Sequence, residues 1–76
     1  MTTVVIVDDH AMFRAGVRSE IGSVVTVVAE AGDVDSAVAA IGVHQPEVVL
    51  LDVHLPGGGG TEVMRRAAAS ATRYLA

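Results

Sequence analysis

Hydrophobic residues follow two different rhythms along this chain. Three short runs are apolar at nearly every position: Thr3-Val-Val-Ile-Val7, Val24-Val-Thr-Val-Val-Ala-Glu-Ala31 and Val48-Val-Leu-Leu51. Runs of this length, rich in β-branched residues, predict buried strands. Strands apolar throughout, rather than alternating, belong to a parallel sheet covered on both faces. Between the runs, apolar residues recur every three or four positions, which is the helical period. Phe13, Val17 and Ile21 give one inward stripe for a helix over residues 10–21. Asp9 is placed to cap that helix and Gly22 to stop it. Asp33 offers a cap for a second helix over 34–43, with Val34, Ala37, Val38 and Ile41 on one face. His44-Gln45-Pro46 closes it, because the residue before a proline disfavours helical geometry. The central strand, over 47–52, leads into a turn at Gly57–Gly60. A third helix over 61–72 follows, with Val63, Met64, Ala67, Ala68 and Ala71 inward. Residues 73–76 have the character of a fourth strand beginning.

The order β-α-β-α-β-α, with that last stub, predicts an α/β fold with a parallel sheet and right-handed crossovers. Two of its strands end in carboxylates. Asp8 and Asp9 follow the first run, and Asp52 follows the third. Asp8-Asp9 alone could simply cap a helix. Paired with Asp52 at a second strand end, the three acids point to a site, because open α/β sheets collect ligands at the carboxyl ends of their strands. Three neighbouring carboxylates repel one another, and a hard divalent cation relieves the repulsion. Mg²⁺ suits such a set, taking carboxylate oxygens, waters and phosphate. Aspartate can also accept a phosphoryl group as an acyl phosphate, with the metal neutralising developing charge.

The remaining polar residues change the picture less. His10 is expected to tune the site from the first helical turn rather than ligate a hard cation. His54 is expected to matter through its backbone, and His44 sits at a helix end. Arg14 and Arg18 are expected on a solvated face. The glycines at 57–60 suit either a flexible joint or a turn needing positive φ beside the site.

At 76 residues and a net charge of −4, the chain is one small domain or part of one, and nucleic-acid binding by this segment is disfavoured. No cysteine is present, so neither disulfides nor thiolate metal sites are available. No apolar run reaches the ~18–20 residues of a membrane span, and Met1-Thr-Thr does not resemble a signal peptide. The expectation is a cytoplasmic protein without membrane contact.

The run Val4-Val-Ile-Val-Asp8-Asp9-His10-Ala-Met-Phe13-Arg14-Ala-Gly16-Val17, with Leu50-Leu51-Asp52-Val-His-Leu-Pro56 and Gly60, resembles the receiver domain of bacterial two-component response regulators. Asp-Asp-His-x-x-Phe-Arg-x-Gly is similar to the subgroup whose receiver precedes a LuxR/NarL-type helix-turn-helix output domain. The resemblance covers essentially the whole chain. It implies a flavodoxin-like parallel sheet with flanking helices and strand order 2-1-3. It implies Asp52 as phospho-acceptor and a Mg²⁺ site from Asp8, Asp9, Asp52 and the backbone carbonyl of His54. Pro56, Gly57 and Gly60 would form the turn beside the site. The implied phosphodonor is a sensor histidine kinase. DNA would be reached only through an output domain that these residues do not include. The implied chemistry is self-phosphorylation and dephosphorylation of a regulatory domain, not turnover of an external substrate.

Residues 1–76 thus resemble a receiver that is incomplete at its carboxyl end. The family's Ser/Thr on the fourth strand and Lys on the fifth have no match, and the sequence holds no Lys at all. Gly59 stands where relatives often carry a polar residue. With order 2-1-3 the third strand becomes an apolar edge, which predicts a homodimer or strand-swapped oligomer pairing through it. Two other functions compete. One is a non-signalling fragment that serves only for association. The other is an aspartyl-phosphate phosphohydrolase, whose Asp-x-Asp at the first strand is contradicted here by His10 two residues past Asp8.

Overall fold

The computed structural model describes residues 1–52, 54–56, 58–67 and 71–76. The chain alternates β1 (Thr3–Val7), α1 (Ala11–Ile21), β2 (Thr26–Ala31), α2 (Val34–His44), β3 (Val48–Leu51), α3 (Gly59–Ala67) and β4 (Arg73–Leu75). All strand pairs are parallel, and the sheet order is β2-β1-β3-β4. The expected order 2-1-3 is therefore retained and extended by one strand. β4 pairs with β3 through Val48↔Arg73, Val49↔Tyr74 and Leu50↔Leu75. This corrects the expectation of an exposed β3 edge. That edge is already covered, so pairing of two copies through β3 has no basis. On that side the edge is the three-residue β4, which begins with a charged Arg73, and short charged edges resist strand addition.

The main core cluster lies on one side of the sheet. Val5, Val7, Val49 and Leu51 pack with Ala31 and with Val34, Ala37 and Ile41 of α2, Leu55, and Val63 of α3. The Asp33 side chain accepts the Ser36 N–H at 2.8 Å and starts α2 as expected. Gln45 ends α2 in the left-handed region at φ 44°, its N–H reaching Ile41 O, before the buried Pro46.

The other side of the sheet is covered less fully, and here three expectations fail. No residue of α1 is buried, and Phe13 of the expected inward stripe is 59% exposed. Val17 and Ile21 are only half-buried. β3 is not buried on both faces either, since Val48 and Leu50 alternate as half-buried with buried Val49 and Leu51. The physical reason is that α1 covers this face alone and leaves an open apolar groove between Phe13, Val17, Ile6, Leu50 and Leu75. Asp9 is also not the cap of α1. The cap position is His10, with extended backbone and no side-chain cap bond.

α3 spans Gly59–Ala67 among the described residues, beginning earlier than expected. Gly59 opens it with a left-handed φ of +71°, and Gly60 behind it is helical and buried. Met64 is 42% exposed and Ala71 lies in an exposed turn, so neither faces the core. Gly57 and Ala68 lie outside the described residues. Gly58 carries the turn, with φ +109°, and a Cβ there would stand 3.0 Å from the Cβ of Glu62. Gly58→Ala is expected to lower stability by about 1–3 kcal/mol. Denaturant unfolding reads this, and an unchanged midpoint would contradict it.

α1 is tethered mainly by charge. Glu30 of β2 accepts Arg14 Nε at 3.2 Å and Arg18 Nη1 at 2.7 Å. Arg14 and Arg18 are thus not a purely solvated face. The hydrogen bond from Arg18 is the main cause holding the Glu30 carboxyl below its ordinary range. Arg14 adds to it and partial burial opposes it. The folded state then binds a proton less readily than the unfolded state. The pairing stabilises fully above the ordinary glutamate value and is lost as pH falls through the folded one. Glu30→Gln is expected to flatten the loss of stability below about pH 4.5. Urea unfolding at stepped pH measures that slope; equal slopes in both proteins would refute it.

Candidate functional site

Two backbone bonds carry the sheet one residue beyond its strands. The Asp8 N–H donates to Ala31 O at 3.0 Å, and the Asp52 N–H donates to Val7 O at 2.9 Å. Val7 is paired in register with Leu51, so the acids that follow them emerge side by side. β1 is also where the chain reverses direction across the sheet, with β2 on one side and β3 on the other. Asp8 and Asp52 therefore stand at the topological switch point, where such sheets bind ligands.

Local bonds then aim each side chain. Asp8 is 12% exposed, and its Oδ1 accepts the His10 N–H at 2.8 Å. Asp9 is more open, at 34%. Asp52 Oδ1 accepts the His54 N–H at 3.0 Å, a short side-chain turn that folds the following loop back. Buried Leu55, whose N–H reaches Asp52 O at 3.3 Å, anchors that loop. One ligand atom each from Asp8, Asp9, His10 and Asp52 lie within 4.8 Å of one another. The sequence expectation that the three acids converge is met in geometry.

His10 belongs to this group more directly than the sequence indicated. Its Nδ1 lies 2.9 Å from Asp8 Oδ1 and 2.9 Å from Asp9 Oδ1. The imidazole pKa is raised, first by the Asp8 hydrogen bond, then by the charge of Asp9, with Asp8 and Asp52 adding to it. When protonated, the ring is a local counter-charge to the acids. Nothing in the sequence fixed where that ring would point. Arg14 was also missed. Its guanidinium donates to the Asp8 carbonyl oxygen, directly behind the site. The available signal was Glu30, a carboxylate inside an otherwise apolar strand.

The remaining expected residues divide. His54 is exposed and follows Asp52 in the turn, as a backbone ligand would need. Pro56 is exposed beyond it, Gly57 lies outside the described residues, and Gly60 sits in α3 rather than in the turn. Three carboxylates offering hard oxygen donors, one of them buried, fit a divalent cation such as Mg²⁺.

A parallel α/β sheet with an acidic cluster at its switch point defines a flavodoxin-like domain. Residues 4–74 match the model of the response regulator receiver domain, and the chain belongs to that family. It is 42% identical over 67 residues to the DNA-binding transcriptional activator DevR/DosR of Mycobacterium tuberculosis, covering 86% of this chain and 31% of that protein. It is 39% identical to the response regulator UvrY of Escherichia coli, covering 92% of this chain and 33% of that protein. The chain thus spans about a third of the length of these curated relatives. Among solved structures, the receiver domain of the NarL response regulator from M. tuberculosis superposes with TM-score 0.85 at 38% identity, over 96% of this chain and 62% of that one. A LuxR-family response regulator from Aurantimonas gives TM-score 0.89 at 35% identity, over 97% and 56%. The structure holds no helix long and apolar enough to cross a membrane among the described residues.

Proposed function

We propose that this chain is the phospho-accepting part of a response regulator receiver, taking a phosphoryl group on Asp52. The observation that carries this is the convergence of Asp8, Asp9 and Asp52 within 4.8 Å at the switch point. One carboxylate oxygen of Asp52 attacks phosphorus. A new O–P bond forms, and the bond to the donor breaks with its electron pair leaving on the donor. The His54 N–H holds Oδ1 and so sets the direction of the other oxygen. Asp8, Asp9 and Asp52, with the His54 carbonyl, would hold Mg²⁺, which supplies charge neutralisation at the phosphoryl oxygens. His10 and the acids keep the site polar.

The donor in this reading is a phosphohistidine on a sensor histidine kinase, and the setting is the cytoplasm. Residues 1–76 serve as the receiver portion. In a longer protein the phosphorylated state would control a DNA-binding output domain, as the description of DevR/DosR suggests. The test is intact mass after incubation with Mg²⁺ and acetyl phosphate. Gain of one phosphoryl group, lost on chelation of the metal, is expected. No gain would overturn the reading for this chain. That result would favour a phosphorylation-independent association unit. Steady release of phosphate from added phosphomonoesters would instead indicate a phosphohydrolase.

A further inference from the structure

β1 and β2 pair only as far as Val7↔Ala31. Past Ala31 the chain turns toward α2, and the Asp8 carbonyl accepts instead from Nη1 of Arg14. Arg14 is 20% exposed and stands one turn into α1, its own N–H bonded to His10 O at 3.0 Å. Its Nε is held by Glu30 at 3.2 Å. The guanidinium also fills the space over Gly32, where a Cβ would meet Nη1 at 3.2 Å. The side chain is therefore fixed on three sides: by a carboxylate, a carbonyl and a glycine surface.

The carbonyl it grips belongs to the peptide that joins Asp8 to Asp9. The Asp8 N–H is locked into the sheet, and the Asp8 carboxylate is locked by the His10 N–H. Rotation of the Asp8–Asp9 peptide is then the easy way for two repelling carboxylates to move apart. We propose that Arg14 is a positioning residue for the metal site: by holding the Asp8 carbonyl it fixes that peptide plane, and with it the relative orientation of the Asp8 and Asp9 carboxylates. The inference rests on the Mg²⁺ reading above. Groups that orient metal ligands without touching the metal commonly control affinity by 10–100-fold.

Arg18 supplies the control. It sits on the same helix, carries the same charge and donates to the same Glu30 at 2.7 Å rather than to Asp8. Arg14→Met and Arg18→Met are compared in the full chain by two measurements. The first is Mg²⁺ titration followed by amide NMR shifts. The second is ¹⁵N relaxation of the Asp9 amide without metal. Both variants are expected to lower the thermal midpoint. Only Arg14→Met should raise the Mg²⁺ dissociation constant, by about tenfold or more, and loosen the Asp9 amide. Affinity within about twofold of wild type in Arg14→Met overturns the proposal, as does equal weakening in both variants. Should Arg14→Met not fold, Arg14→Lys keeps the charge but lacks the fork that serves Glu30 and the carbonyl together, and should weaken Mg²⁺ in the same way. If the wild-type chain shows no Mg²⁺ response, the receiver reading fails instead. The Asp9 amide then decides alone, and unchanged mobility in Arg14→Met rejects the clamp.

Discussion

Asp52→Asn is expected to abolish phosphoryl uptake from acetyl phosphate while leaving the fold intact. The side-chain amide keeps an oxygen that can accept the His54 N–H, so the turn it builds survives. The backbone bond from Asp52 N–H to Val7 O is untouched. What disappears is the anionic oxygen that forms the acyl phosphate. The cluster also loses one negative charge. Carboxylates within 4.8 Å repel by about 1 kcal/mol per pair even in a water-like dielectric. The variant should therefore be as stable as wild type or slightly more so, the reverse of what a damaged fold would show. Intact mass and thermal unfolding, measured together, separate chemistry from folding. Uptake persisting in Asp52→Asn would place the acceptor elsewhere and remove the main support for a receiver function.

Ile41→Ala is expected to have the largest effect on stability. Ile41 is fully buried in α2, in the cluster that joins Val5, Val49 and Val63. Truncating a buried isoleucine costs about 2–5 kcal/mol, combining lost transfer energy with the cavity left behind. A domain of 76 residues has roughly 4–11 kcal/mol in total. The substitution thus removes a large fraction of it, and a measurable unfolded population should appear near room temperature. Val43→Ala on the same helix is the comparison, since Val43 is 78% exposed and should change stability by less than about 0.5 kcal/mol. Urea unfolding of both variants checks the contrast. Similar midpoints would mean that the core does not lie where Ile41 is buried.

The strands were legible because β-branched runs such as Val4–Val7 have few other uses. The Asp33 cap was legible because a short acceptor just before an apolar stripe has a clear local role. The acids were legible from position alone, standing one or two residues past a run. Other features depend on tertiary context that no local pattern encodes. The stripe of Phe13, Val17 and Ile21 shows which face of α1 is apolar, but not that the surface beneath stays partly open. Arg14 and Glu30 are sixteen residues apart, and only the sheet brings them together. Four glycines in a row predict a turn equally well at each of them, whereas the structure gives positive φ to Gly58 and Gly59 and places Gly60 within α3. The pairing of β4 rests on three residues, too few to carry a periodic signal.

The one-sided core has a consequence for how the molecule opens. α2 and α3 are attached by burial, which salt hardly weakens. α1 buries no residue, and its bonds to the sheet and the site run through Arg14 and Arg18. Exposed and half-exposed ion pairs weaken as ionic strength rises. α1 is therefore expected to separate first, as a subglobal unit at lower free energy than the rest. Because Asp8, Asp9 and His10 lead directly into it, the rigidity of the acidic edge follows the salt concentration, while the hydrophobic half of the domain does not.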